Sequence, residues 1–295
     1  MKHFLRYLIL PLFSLTFFAS CDSDDEPTID TATFSANFSG LENLGSDYAY
    51  EGWLIVDGAP VSAGIFTIDA DGNPSATSFE VNANDLANAT TYVLTIEPSP
   101  DTEPAPSPVH ILAGDFNGNS AALTVAHEAA IGNDFTDATG TYILATPTDG
   151  GDNNETSGIW WLDPTAGPAA GMVLPTLPDG WLYEGWVVID GTPVSTGRFS
   201  SATGADDNSG FSGDEPGPPF PGEDFLQNAP DGLSFPTDLR GATAVISVEP
   251  VPDNSPAPFT LKPLVGPVAI DAPEHSPLTM TNSATDTNPT GTVSK

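Results

Sequence analysis

The sequence predicts an all-β protein: two tandem, duplicated β-sandwich domains that follow an N-terminal signal segment. Three observations predict it. The stretch YEGWLIVDGAPVSAGIF, Tyr50 to Phe66, recurs as YEGWVVIDGTPVSTGRF, Tyr183 to Phe199, with 11 of 17 positions identical. Short β-rich runs alternate with Asp-Gly and Pro-rich turns throughout. Thirty Pro and 28 Gly in 295 residues oppose long helices, because Pro removes a backbone donor and Gly costs conformational entropy. The 39% of hydrophobic residues is enough to build cores.

Residues 1–20 are read as a signal peptide and not as part of the fold. Lys2 and Arg6 form a positive start, Leu8 to Phe18 a short apolar run, and Ala19 and Ser20 a small-residue step before Cys21. The apolar run is shorter than the ~20 residues a membrane-spanning helix needs. Cys21 is the sole cysteine, and "FFASC" resembles the lipobox of bacterial lipoproteins, which implies acylation of Cys21 and a lipid bilayer as partner. Residues 21–31 form an acidic tether, with Asp22, Asp24, Asp25 and Glu26 directly after the anchor. This resembles the export tether of surface lipoproteins of the Bacteroidetes group. The expectation is an outer-membrane, lipid-anchored, surface-exposed protein.

The first repeat is read as residues 32–138. Trp53–Val56, a turn at Asp57-Gly58 and Val61–Ile68 make a hairpin. Asp69–Pro74 is the next turn, and Thr91–Ile96 alternates apolar and polar residues as a strand does. Val109–Leu112 and Ala121–Val125 are further strands. The second repeat is read as residues 139–295, opened by a strand at Thr141–Thr146. Its counterparts are Trp186–Ile189, Asp190-Gly191 and Thr243–Val248. E-P-x-P-D-x-x-P-A-P begins at Glu97 and again at Glu249, where Pro ends strand pairing. The offset between the copies grows from 133 to 152, so the second carries 19 extra residues around the acidic Pro/Gly-rich insert 204–225, read as an exposed loop. Thr139-Gly-Thr matches Thr290-Gly-Thr, which would instead make the Thr139 strand the end of the first copy. Short helices are expected near Ala83–Ala89 and Phe225–Ala229.

Leu-x-x-Leu, Tyr-x-x-Trp, Pro-Val-x-x-Gly-x-Phe and a strand ending in Glu-Pro together resemble the extracytoplasmic C-terminal domain of anti-sigma-K factors. Tyr50, Trp53, Gly64 and Glu97 carry the pattern in the first repeat, and Tyr183, Trp186, Gly197 and Glu249 in the second. The resemblance implies a fold in which these residues are structural. The cytoplasmic sigma-binding segment and membrane helix of such regulators are not expected here, so the resemblance does not carry over the anti-sigma activity.

Forty Asp+Glu against 6 Lys+Arg give a net charge of −34, which repels nucleic-acid phosphates and excludes them as partners. No catalytic residue, metal site or cofactor is expected. His110, His127 and His275 have only the adjacent Glu128 and Glu274 at hand, and neighbours in a strand point to opposite faces. The loops at Asp69, Asp115 and Gly150 are rich in Asp, Asn and Gly, as turns demand. Duplicated Glu97 and Glu249 are expected to accept backbone amides within their own copies. Trp160 and Trp161 are the candidate ligand contacts, one in the core and its neighbour exposed or between the domains. The expected function is non-catalytic binding, sensing or scaffolding, with an unknown envelope protein or glycan as partner; the alternative is a carbohydrate-binding or polysaccharide-processing lipoprotein.

Overall fold

The computed structural model describes residues 30–295; the signal segment, Cys21 and most of the tether lie outside the described residues. The chain is nearly all β. In the first half the strands are β1 (Thr31–Ser39), β2 (Tyr48–Val56), β3 (Ala59–Phe66), β4 (Ser78–Asn82), β5 (Thr91–Pro98), β6 (His110–Asp115) and β7 (Ser120–Thr124). Then follow β8 (Thr139–Leu144), β9 (Gly158–Trp160), β10 (Leu162–Asp163), β11 (Ala169–Ala170) and β12 (Met172–Val173). The second half continues with β13 (Trp181–Ile189), β14 (Thr192–Phe199), β15 (Gly222–Asp224), β16 (Thr243–Pro250) and β17 (Leu264–Pro267). Short β18 (Leu278–Thr279) and β19 (Thr281–Asn282) precede β20 (Thr290–Ser294).

The repeated sentence is a hairpin in both halves, β2–β3 and β13–β14. Asp57 and Asp190 take φ of 50°, and Gly58 and Gly191 φ of 79° and 84°; two consecutive positive φ values give a tight turn the twist that hairpin strands need. The strands begin several residues before the repeated Trp. A bulge sits at the same place in each, between Gly52/Trp53 and between Gly185/Trp186.

The helix expected at Ala83–Ala89 is present as α1 (Ala83–Asn88). The side chain of Asn82 caps it by accepting from the amides of Asn84 and Asp85, and Leu86 is its buried residue. Phe225–Ala229 is not helical. Phe225 is buried between Phe211 and Phe235, at ring distances of 5.9 and 5.3 Å, and its amide donates to Ser157 O. With Phe225 held in the aromatic core, the chain bends at Leu226 and Gln227 and takes a φ of 55° at Asn228 instead of forming a helix. The other α-helix among the described residues is α2 (Ala284–Thr287). No helix among the described residues is long and apolar enough to cross a membrane.

Sheet order shows how the repeats close. The first is one eight-stranded sheet, β3-β2-β5-β6-β7-β20-β1-β4. It wraps until Phe66 of β3 approaches Phe79 of β4, at 6.0 Å between rings. The second runs β14-β13-β16-β17-β19, and β18 passes the order on to β8, which pairs in turn with β12 and β9. By the sequence match, β13, β16 and β17 correspond to β2, β5 and β6. β8 therefore fills the position in the second sandwich that β20 fills in the first. On the boundary at residue 139, β8 opens the second repeat and stays in it while β20 crosses into the first sheet; on the Thr139/Thr290 match, β8 ends the first copy and the two copies exchange their last strands. The main hydrophobic core runs through both sandwiches, and two smaller clusters lie around Trp53 and Trp160.

Candidate functional site

Each repeat builds the same polar assembly on the outer face of its hairpin. In β2, Tyr50 and Leu54 point into the core and are fully buried, so Glu51 and Trp53 face outward. β5 places Thr95 and Glu97 beside them. Trp53 Nε1 donates to Thr95 Oγ1 at 2.9 Å, and the Thr95 hydroxyl donates to Glu97. Glu97 also accepts the Ser107 amide at 2.9 and 3.1 Å, the backbone donor expected from the Pro-rich loop. Ser62 donates to Glu51. In the second repeat Trp186 Nε1 donates to Ser247 Oγ at 2.8 Å, Ser247 donates to Glu249, and Glu249 accepts the Phe259 amide at 2.9 Å. Ser195 donates to Glu184.

These carboxyls are buried although they belong to an outer face. Burial pushes Glu184 up to about 7 and Glu249 up to about 8, with the Asp253 charge adding to both. Glu51 is raised for the same reason, with Glu97 and Asp101 adding to it. Oε2 of Glu184 and of Glu249 has no hydrogen-bond partner. Protonation relieves such an atom, since a neutral carboxyl costs far less to bury than a carboxylate.

A cleft of about 260 Å³ lies between the repeats, lined by Glu42, Tyr48 and Ile96 from the first and by Asp253, Asn254 and Phe259 from the second. Burial pushes the Glu42 carboxyl up to about 7, against the opposing pull of Lys262. The Leu-x-x-Leu segments of the two repeats are anchored alike. Tyr50 donates its hydroxyl to Glu42 O at 3.0 Å, and Tyr183 to Pro175 O at 2.7 Å.

Residues 30–110 match the family model described as anti-sigma-K factor rskA, C-terminal. No curated protein and no solved structure matches the chain. The segment similar to the anti-sigma-K domain runs from β1 to the start of β6. It holds Tyr50, Trp53, Gly64 and Glu97, and so the whole first Trp–hydroxyl–Glu assembly. It stops short of β7 and β20. Tyr183, Trp186, Gly197 and Glu249 occupy the matching places in the second repeat. Gly64 and Gly197 have φ of 123° and 122° beside their bulges. A Cβ there would stand 2.5 Å from the Phe79 ring or 2.6 Å from Asp206 Cγ.

Neither Trp160 nor Trp161 is exposed: they are 5% and 0% accessible. Trp161 faces the main core, at 5.7 Å from the Tyr142 ring. Trp160 faces the other side, where Ile143, Ala145, Leu162 and Phe220 form a second small core. The strand alternation holds, but the insert covers the outer face. Nor is the insert simply an exposed loop. Its end is β15, paired with β9, and it brings in the buried acids Glu223 and Asp224. Asp224 accepts from Trp160 Nε1 and the Thr148 amide, each at 2.8 Å. The signal that could have exposed this is the apolar spacing of Phe211, Phe220 and Phe225 among the prolines.

Two of the three described histidines find carboxylates that are not their sequence neighbours. His127 Nε2 lies 3.4 Å from Asp115 and His275 Nε2 3.0 Å from Glu155. His110 Nδ1 lies 2.9 Å from Ala129 O. In the Asp69 loop, the carboxylate accepts the amides of Asp71 and Asn73 at 3.0 and 2.8 Å, as turn chemistry requires. Among the described residues, no three His, Cys, Asp or Glu side chains are grouped to hold a metal ion.

Proposed function

We propose that the chain is a non-catalytic binding or scaffolding protein on the outside of a cell envelope, anchored through acylated Cys21 and presenting its two anti-sigma-K-like repeats as one body. The observation that supports this reading best is the use of the duplicated carboxyls. Glu51, Glu97, Glu184 and Glu249 each accept a hydroxyl or amide of their own repeat, so the shared motif holds each sandwich together. The exchanged strands β8 and β20 join the halves and favour a rigid platform over two beads on a linker. The partner is an envelope protein or a glycan.

The junction cleft favours the glycan reading as the alternative, because Glu42, Asp253 and Asn254 there surround a space of about 260 Å³, enough for one sugar ring. The test is capture from intact cells with the surface-displayed chain and a Cys21→Ala control, identifying both bound protein and bound glycan. A specific protein, lost with Cys21→Ala, supports the scaffold. A glycan alone moves the assignment to the cleft. Equal capture by the Cys21→Ala chain overturns the anchored reading.

A further inference from the structure

β20 lies between β1 and β7, antiparallel to both, with five paired residues on each side. Without it the eight-stranded sheet parts into β1-β4 and β3-β2-β5-β6-β7, and within the latter β6 and β7 share only the Ala113–Thr124 pair. Val293 fills the core and is fully buried. The strand thus occupies a slot whose two walls are complete sheet edges, the geometry of strand addition.

The slot is selective. A Cβ on Gly291 would stand 2.8 Å from the Phe38 ring and 3.1 Å from Asn37 O. β8 shows the same requirement in the other sandwich, where a Cβ on Gly140 would stand 2.8 Å from Leu264 and 2.9 Å from Met280 Sδ. Both closing strands begin Thr-Gly-Thr. The walls therefore accept an extended segment with glycine between threonines, and reject a side chain at its second position.

The slot also accepts a strand from outside its own repeat. The connector that leads to β8 is pinned to the end of β19 and to the connector that leads to β20. Asn282 Nδ2 donates to Phe135 O at 2.8 Å and Ala138 O at 2.9 Å, and Asn288 Nδ2 donates to Asp134 O at 2.8 Å. This is the hinge arrangement of an exchanged pair, formed here within one chain.

We propose that the slot between β1 and β7 is a strand-acceptor site for self-association: a second copy of this chain fills it with its own β20, at the same register. The single-chain form is favoured at low concentration, because a tethered strand has a high effective concentration. Crowding of copies favours exchange. This inference stands apart from the proposed envelope function and does not depend on it.

The test uses residues 22–295 with Ala36→Cys and Val293→Cys, which face each other in the register; removing Cys21 leaves no other cysteine. Two versions with different tags are unfolded together, refolded at increasing concentration and oxidised. The expected result is an intrachain disulfide at low concentration and a reducible two-tag dimer at high concentration. Gly291→Val in both versions suppresses that dimer. Failure of the tags to join at any concentration overturns the proposal, as does failure of both disulfides. A second measurement covers a variant that folds badly. A chain ending at Pro289 is refolded with a synthetic peptide of residues 288–295. The peptide at about 100 times its dissociation constant raises Tm by about 5–10 °C, and a peptide with Gly291→Val does not. Equal recovery and equal Tm with both peptides overturns the proposal.

Discussion

In the first repeat both oxygens of Glu97 accept hydrogen bonds, whereas in the second Glu249 leaves Oε2 buried without a partner. The strands, the bulge, the tryptophan and the hydroxyl relay are otherwise the same. The difference lies in how the loop after each Glu-Pro closes. Ser107 in the first repeat donates its amide to both oxygens and its hydroxyl to Ile96 O at 2.7 Å. Its counterpart is Phe259, which buries its ring 6.0 Å from that of Trp181. The second repeat gains an aromatic contact and loses a polar one, and its carboxyl is pushed up to about 8. One backbone design thus supports a well-bonded carboxyl in one copy and a proton-holding carboxyl in the other.

The largest expected effects come from the bulge glycines. Gly64→Ala brings a Cβ to 2.5 Å from the Phe79 ring at a φ of 123°. That ring is stacked on Phe34 at 5.4 Å and cannot swing away. Overpacking and backbone strain together cost about 3–4 kcal/mol. Gly197→Ala meets the Asp206 side chain instead, which lies on the insert and accepts the Gly222 amide at 2.8 Å; a single side chain on a surface segment gives way more readily than a stacked ring, and about 2 kcal/mol is expected. Urea unfolding of both variants measures the difference. A reversed order would show that the insert holds Asp206 more firmly than Phe34 holds Phe79.

The pH response sharpens the contrast next. A carboxyl raised in the folded state makes that state bind more protons than the unfolded chain, so stability falls as pH rises. The loss begins near the ordinary glutamate value of about 4.3 and is complete above the folded values of about 7 for Glu184 and about 8 for Glu249. Glu42, Asp206 and Glu223, each near 7, act in the same direction. Melting temperature is expected to fall steadily between pH 5 and pH 8. The double variant Glu184→Gln/Glu249→Gln flattens that slope without removing it. An unchanged slope would mean that these two groups do not hold protons.

Much of the architecture was written in local pattern. The Asp-Gly turns, the alternation at Thr91–Ile96 and the Pro runs after Glu97 and Glu249 mark hairpins and strand ends by short-range chemistry. The Trp–hydroxyl–Glu assembly was also within reach. Thr95 and Glu97, like Ser247 and Glu249, stand two apart on one strand face, and Glu51 and Trp53 do the same on the next strand. The strand exchange was not legible. The three-residue match at Thr139 and Thr290 hints that the two strands are counterparts, but it conflicts with a boundary at residue 139, and no local pattern states which sheet a strand will enter. β18 and β19, two residues each and interrupted at Met280, are too short to carry a periodic signal. The burial of Trp160 depended on where the insert folds back, a long-range contact that strand alternation does not encode.

Glutamine substitution at the two matching glutamates tests the contrast more directly. Glu97→Gln puts an NH2 group where one oxygen now meets the Ser107 amide, and about 1–3 kcal/mol is lost. Glu249→Gln at neutral pH replaces a protonated carboxyl by a near-isostere. Its oxygen keeps the Phe259 amide, and the NH2 takes the place of the unpartnered Oε2. Less than about 0.5 kcal/mol is expected. Equal losses would place a charge on Glu249 and undo the distinction between the copies.

The smallest effect asks where the copies are the same. Tyr50 and Tyr183 are fully buried, and each hydroxyl has one partner, the carbonyl eight residues back. Tyr→Phe keeps the ring stacks on Phe66 and Phe199, at 5.5 and 5.7 Å, and removes only the bond that ties the Leu-x-x-Leu segment to its strand. Each change costs about 1 kcal/mol, and the double variant the sum, since well-separated sites add. Denaturant midpoints measure it. The junction makes the outcome informative, because Glu42 lies on the tied segment and lines the cleft while Pro175 does not. If Tyr50→Phe alone also alters ligand capture, the tie positions the cleft; if both variants lose the same stability and neither alters capture, the ties serve the sandwiches alone.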